Sequence, residues 1–354
     1  MNNEFDQKKY EEGFEKSYDD KQQEFDELRS KQLVISLIGS VNAGKSQTIN
    51  ALTGLKYDIV KAHSGWTKDV SLYKLAENVF IADTPGLNDV NEEVSKKATD
   101  FVEESADLIL FFLNANVGIT AIDKKAYNEL SQLGKEIIVV INKIDTLDAE
   151  ELMEVRSQIV DELGANTFCI SAKKGIGVKE LHSHLVDILE KRGKDLLFLK
   201  TSKYKRGSVS KWIKAATASA VAIGAIPIPG ADIIPLTGLQ VGLAMKIAFI
   251  YDIKPSKEDI MKLAASTVTG NIGKQMFRWA ATALKAAGWI PGAQLLEVAT
   301  CAIAGSVAGA MTFSFGWACN EYYSRGMEMN MDDLGKTFTE FYKNYRAKTS
   351  PVTT

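Results

Sequence analysis

Apolar residues along this chain fall into two regimes, and the change between them divides it. In the first half they come as short runs closed by polar turns: Leu33-Val-Ile-Ser-Leu-Ile38, Ile137-Ile-Val-Val-Ile141 and Phe168-Cys-Ile170. Near-continuous apolar runs of this length predict strands buried on both faces, hence an α/β domain with a mostly parallel sheet and helices on both sides. In the second half the apolar residues are mainly Ala, Gly, Ile and Val, in long stretches cut by breakers. Ile226-Pro-Ile-Pro-Gly-Ala-Asp-Ile-Ile-Pro235 concentrates three prolines and a glycine, and Trp289-Ile-Pro-Gly-Ala293 is a second interruption. Helix interiors tolerate neither residue readily. Helices are therefore expected around 236–251, 256–287 and 294–325, then a charged amphipathic helix ending near Lys348, together an all-α bundle.

Residues 1–30 are dense in charge, with Tyr10, Phe14 and Tyr18 recurring every four residues along one face of an expected helix and Phe5 and Phe25 flanking them. The favoured reading is an aromatic stripe packed on the helical domain; a partner-binding helix is the other. The segment Lys200-Thr-Ser-Lys-Tyr-Lys-Arg206, with Lys211, Trp212 and Lys214, leads into the uncharged Ala215–Ala225. A basic run beside an apolar one suits an anionic lipid surface, and equally a solvated linker. Val298–Cys319 carries no charge and contains Gly305-Ser-Val-Ala-Gly309, long enough to span a bilayer, for which about 20 residues suffice. Its many small and hydroxyl residues favour instead a buried helix of a soluble bundle. The expected division is 1–30 as an amphipathic helix, 31–192 as the α/β domain, 193–214 as a basic linker and helix start, and 215–348 as the helical domain.

Length changes the picture little, since 354 residues suit two domains. A net charge of −3 gives no case for nucleic-acid binding. Cys169, Cys301 and Cys319 lie in apolar contexts without metal-ligand spacing and read as buried thiols of a reducing compartment. The N-terminus lacks an apolar signal region, so the expected location is cytoplasmic, with the inner face of the membrane as a peripheral site. His63, His182 and His184 are expected as surface histidines. The last two, two residues apart on one helix, point to different faces and make no metal pair.

Five stretches carry chemistry. Gly39-Ser-Val-Asn-Ala-Gly44-Lys45-Ser46 follows a strand run and precedes a helix-compatible stretch, the context a phosphate-binding loop requires. Its glycines let backbone N–H groups of the loop, with Ala43 and Gln47 alongside, turn toward phosphates at a helix N-terminus. Lys45 supplies a point charge to the β- and γ-phosphates, and the Ser46 hydroxyl can ligate magnesium. Asn142-Lys143-Ile-Asp145 follows the central strand run, where open sheets bind ligands. A carboxylate at Asp145 accepts from guanine N1–H and the 2-amino group, donors that adenine lacks. Ser171-Ala172-Lys173 would close the base pocket with the Ala172 N–H aimed at the 6-oxo group. Gly65-Trp-Thr67-Lys-Asp69 and Asp83-Thr-Pro-Gly86 complete the order.

On these boxes, residues 31–192 resemble a P-loop GTPase of the Era and TrmE branch. The resemblance implies GTP and GDP as ligands and hydrolysis with magnesium. It implies that Thr67 ligates the metal when the γ-phosphate is present, that Asp83 holds it through water, and that the Gly86 N–H senses the γ-phosphate, with Lys45, Thr67 and Gly86 as the catalytic group. In potassium-activated members an asparagine at the position of Asn42 ligates a monovalent cation; the other reading of Asn42 is a turn-forming residue. Leu87 stands where a water-orienting glutamine follows the glycine in Ras-like proteins, so unaided hydrolysis is expected to be slow. Residues 215–325 resemble a bacterial helical domain of uncharacterised function, and the arrangement is similar to immunity-related and dynamin-like GTPases, an analogy of architecture only. It implies a GTP-hydrolysing switch whose nucleotide state controls a helical, membrane-associated domain through a nucleotide-dependent homodimer. A GTP-gated membrane effector and an RNA-assembly or protein-interaction switch are the alternatives.

Overall fold

The computed structural model describes residues 2–55, 71–83, 92–226, 232–269 and 294–349. The chain forms two compact units, one of residues 28–204 and one of residues 1–27 with 205–354. The expected helix at the N-terminus is α1 (Asn2–Ser30).

The first unit is α/β. Its elements are β1 (Leu33–Gly39), α2 (Lys45–Thr53), β2 (Ser71–Ala76), β3 (Val79–Asp83), α3 (Glu92–Ser105), β4 (Leu108–Asn114), α4 (Ala121–Ser131), β5 (Ile137–Asn142), α5 (Ala149–Leu163), β6 (Thr167–Ile170), α6 (Val178–Lys191) and α7 (Asp195–Thr201). The sheet runs β2-β3-β1-β4-β5-β6, parallel throughout except that β2 is antiparallel to β3. The uninterrupted apolar runs are its centre: every residue of β1 is buried, as are Ile138–Ile141 of β5. Two of its helices begin where polar side chains satisfy their first N–H groups. Thr120 and Asp123 form a reciprocal capping box on α4, and Asp148 and Glu151 do so on α5.

Residues 193–204 are not a solvated linker. Leu196-Leu-Phe-Leu199 in α7 is wholly buried and packs beside α6, β2 and β3, so the chain leaves the α/β unit only after Tyr204. The lysines around this segment masked an apolar core of four residues that the sheet needs as cover. The same helix corrects the expectation for His182, which is buried rather than on the surface. Its Nε2 lies 2.6 Å from the Ser202 hydroxyl, and its ring packs between Phe198 and Tyr204 at centroid distances of 5.4 and 5.0 Å. His184 is half-buried, 4.6 Å from the Phe168 ring. His63 lies outside the described residues.

The second unit is all-α: α8 (Lys205–Gly224), α9 (Ile233–Ile250), α10 (Lys257–Thr269), α11 (Gln294–Ser324) and α12 (Met331–Thr349), joined by the greater part of α1. Phe14, Tyr18 and Phe25 of α1 are buried. Phe25 meets Phe249 of α9 at 5.5 Å, and the Tyr18 hydroxyl donates to the Pro255 carbonyl at 3.0 Å. Pro235 falls in the first turn of α9, where a missing N–H costs no helical bond. Residues 227–231 of the first breaker and all of Trp289–Ala293 lie outside the described residues, as does the stretch 270–287.

The Ala/Gly composition has a physical cause in the pair α8 and α11. A Cβ on Gly305 would lie 2.6 Å from the Val221 carbonyl oxygen, one on Gly316 2.7 Å from Ile213 Cγ1, and one on Gly224 2.7 Å from Ala308 Cβ. The two backbones come too close for side chains between them. Farther along, Trp317 stacks on Phe341 at 5.6 Å and Phe313 meets Tyr345 at 4.7 Å, tying α11 to α12. Among the described residues no helix is long and apolar enough to cross a membrane.

Two of the basic residues at the start of α8 are engaged within the helical unit. The Arg206 guanidinium lies over the Trp317 ring at 5.0 Å and 3.2 Å from Glu321, and the Lys205 ammonium lies 5.2 Å from the Tyr251 ring centre.

Replacing Gly305 by valine forces the α8 carbonyl at Val221 away from α11. The helical unit is expected to lose about 1–3 kcal/mol, the usual cost of overpacking, read as a lower urea midpoint with little change in slope.

Candidate functional site

The candidate site is assembled from the loops that follow β1, β5 and β6 and from Asp83 at the end of β3, all at the C-terminal edge of the sheet. Parallel pairing of β1 with β4 and of β4 with β5 fixes these loops side by side.

The loop after β1 needs glycine twice. Gly39 has φ +142° and a Cβ there would run into the Phe112 carbonyl oxygen; Gly44 has φ +88°, and its Cβ would strike the Asn142 amide nitrogen. Gly44 is also the N-cap of α2 and provides no side-chain acceptor, leaving the N–H groups of the first turn to other anions. Asn42 is exposed with φ +64°, a left-handed turn conformation that asparagine tolerates. Ala43 is fully buried, Ser46 half-buried and Gln47 exposed.

Lys45 folds back over the loop. Its ammonium donates to the Gly39 carbonyl at 2.9 Å and lies 3.9 Å from Asp83 Oδ1. Asp83 closes β3 and pairs in register with Leu37 of β1. Burial pushes its carboxyl pKa up, and the Lys45 charge partly opposes this. A half-buried carboxylate with one cation at salt-bridge distance is short of positive charge, and a hard divalent ion would meet that need. Asp83 and the Ser46 hydroxyl are oxygen donors of the type magnesium takes, so these residues fit the metal. Among the described residues no group of three or more His, Cys, Asp or Glu side chains could hold a metal without such help.

Asn142, at the end of β5, is buried to 1% and spans the site. Its Nδ2 donates to the Ala43 carbonyl at 2.9 Å, and its Oδ1 accepts from the Ala172 N–H at 3.1 Å. The Ala172 N–H, expected at the guanine 6-oxo group, is thus held by Asn142 here. Lys143 has φ +68° and turns the chain into the short 3-10 turn Ile144–Thr146 that carries Asp145. The Ser171 hydroxyl donates to Asp145 Oδ1 at 2.7 Å while accepting the Lys174 N–H at 3.1 Å, and the Lys174 ammonium lies 3.9 Å from Asp145 Oδ2. The Ser171 hydrogen bond is the main cause of a depressed Asp145 pKa, with Lys174 and the exposed Lys173 adding to it. The carboxylate therefore stays ionised and acceptor-only well into acid.

The structure brings together Ala43, Gly44, Lys45, Asp83, Asn142, Asp145, Ser171 and Ala172. Thr67, Gly86 and Leu87 lie outside the described residues. Sequence reasoning missed Lys174, whose only signal was a second lysine directly after the Ser171-Ala-Lys173 box.

Comparison with known proteins gives two matches along the chain. Residues 34–143 match the family model described as 50S ribosome-binding GTPase, and residues 201–347 match that of a domain of unknown function, DUF697. GTPase Der of Clostridium kluyveri is 30% identical over 171 residues, covering 46% of this chain and 38% of that protein. GTPase Der of Campylobacter fetus is 32% identical over 163 residues, covering 44% and 34%. This chain thus spans well under half the length of these curated relatives. Among solved structures, Aquifex aeolicus Era bound to GDP and aluminium fluoride is 29% identical with a TM-score of 0.35, covering 44% of this chain and 56% of that one.

Ser171→Ala removes the hydrogen bond that lowers the Asp145 pKa. Guanine-nucleotide binding is expected to weaken roughly tenfold, as loss of a hydrogen bond to a charged group implies. A depressed pKa keeps the acceptor form above it and loses it as pH falls through it, so the acid limb of binding should move to higher pH in the variant. Titration calorimetry across a pH series reads both effects.

Proposed function

From a chain that carries an Era/Der-like GTPase domain followed by a DUF697 helical domain, we propose a GTP-hydrolysing switch that controls its helical unit at a membrane surface through nucleotide-dependent self-association. The observation that carries the nucleotide part is the fixed, ionised Asp145 on the same buried amide framework as the phosphate loop. Guanine offers two adjacent donors to that carboxylate; adenine offers none.

Within this reading Lys45 leaves the Gly39 carbonyl to neutralise the β- and γ-phosphate oxygens, and the N–H groups at the start of α2 orient them. Ser46 and Asp83 would hold magnesium, which supplies positive charge where negative charge builds on the phosphates. Thr67 and Gly86 respond to the γ-phosphate and give the switch its two states. The apolar Leu87 cannot orient water, so a second copy or another partner completes the catalytic site. A potassium ion held by Asn42 is the further charge this scheme allows. The Ala/Gly-rich helical unit, with its basic and uncharged α8, supports the membrane part. A ribosome or RNA role, suggested by the family description, has against it the net charge of −3.

Asp145→Asn exchanges one acceptor for a donor. The variant is expected to lose GTP affinity by at least tenfold, the scale of one charged hydrogen bond, and to gain for xanthosine triphosphate. Equal affinity of the wild-type protein for ATP and GTP would overturn the pocket assignment.

Basal turnover is expected to be slow and to rise with protein concentration or with lipid. Replacing potassium by sodium at constant ionic strength should slow it further, and Asn42→Ala should erase that difference. Identical phosphate-release rates in both salts would return Asn42 to a turn residue.

A further inference from the structure

The outward face of α8 is unlike that of an ordinary surface helix. The inward face buries Val209, Ile213, Ala216, Thr217 and Ala220. On the opposite arc, Lys211 and Lys214 are exposed, and neither has an ion-pair partner among the described residues. Beyond them the same arc carries Ala218 and Ala222, both exposed, and continues to Ile226, 42% exposed, while Val221 turns its side chain to Gly309 of α11. No acidic residue occurs between Lys205 and Ile226. An exposed helix face is normally charged or polar along its length. This one is cationic for its first turns and uncharged for its last three.

The charge pattern selects the occupant. A second copy related by a twofold axis would bring the same face to itself, and that face has cations without any anion to meet them. A surface that supplies anions at one level and an apolar layer just below matches both parts. We propose that the outward face of α8 is the surface by which the helical unit lies on an anionic lipid bilayer, with Lys211 and Lys214 at the lipid phosphates and Ala218, Ala222 and Ile226 at the acyl boundary. Lys205 and Arg206 belong to the protein side, held by Tyr251, Trp317 and Glu321. This assignment rests on the membrane part of the proposed function and gives it a location.

The test is co-sedimentation of the full chain with vesicles of phosphatidylglycerol and phosphatidylcholine in equal parts, and of phosphatidylcholine alone, with GTP, with GDP and without nucleotide. Wild-type protein is expected on the anionic vesicles in at least one state, released by salt. Lys211→Glu with Lys214→Glu should lose about 30-fold in partitioning, since each basic residue near such a surface contributes about 1 kcal/mol. Lys262→Glu with Lys343→Glu makes the same charge change at exposed positions on α10 and α12 and should leave binding near wild type. Ala218→Trp, which adds an interfacial aromatic to the face, should tighten binding. Helix content by circular dichroism and guanine-nucleotide binding serve as folding controls for every variant.

Wild-type protein that ignores anionic vesicles in every state overturns the face and the membrane reading together. Wild-type binding that survives the Lys211/Lys214 pair, or that both pairs weaken equally, overturns the face alone. A lipid-independent dimer that Ala222→Asp dissolves would overturn it in favour of a second copy.

Discussion

One buried side-chain amide organises the candidate site. Asn142 receives the Ala172 N–H and gives its own N–H to the Ala43 carbonyl, so a single residue at the end of β5 holds the loop after β1 and the loop after β6. Because it is sealed from water, either bond left unmade would cost the desolvation of a polar group. The loops are therefore fixed as a set. Gly44 has no Cβ because that amide occupies the space, and Asp145, three residues on, is braced by Ser171 from the loop that Asn142 anchors.

In the proposed reading a rigid base end stands beside a phosphate end that is electrostatically unfinished. Asp83 is raised by burial and only partly relieved by Lys45, which is itself bonded to loop carbonyls. A phosphate chain and a divalent ion bring the charges that this corner lacks, one for the lysine and the first turn of α2, the other for the carboxylate. On that reading the base end is prepared before ligand arrives, and the phosphate end would be stabilised by the ligand.

The helical unit obeys a different constraint, backbone proximity. Where α8 and α11 cross, glycines at 224, 305, 309 and 316 remove the side chains that would hold the helices apart. Such a seam gains dispersion over long backbone lengths but has few large apolar groups, and the unit recovers apolar burial elsewhere. Phe14, Tyr18 and Phe25 of α1 and the Trp317–Phe341 and Phe313–Tyr345 pairs supply it. The weak hydropathy of residues 298–319 thus reflects close packing, consistent with no described helix reaching the apolar length of a membrane span.

Local pattern alone determined the α/β class, the strands at 33–39 and 137–142, the helical character of the second half, and the positions of the loops after β1, β5 and β6 that form the candidate site. Each depends on periodicity within one element or on a motif whose spacing is its function. What lay between elements was decided only in three dimensions. The basic composition around residue 200 gave no sign that Leu196–Leu199 would roof the sheet, because burial there depends on α6, β2 and β3. His182 looked like a surface residue until α7 and Tyr204 covered it, and Arg206 like a free cation until α11 set Trp317 and Glu321 beside it. Charge is written in the sequence, but its partners come from residues tens to hundreds of positions away. Packing alone brings them within range.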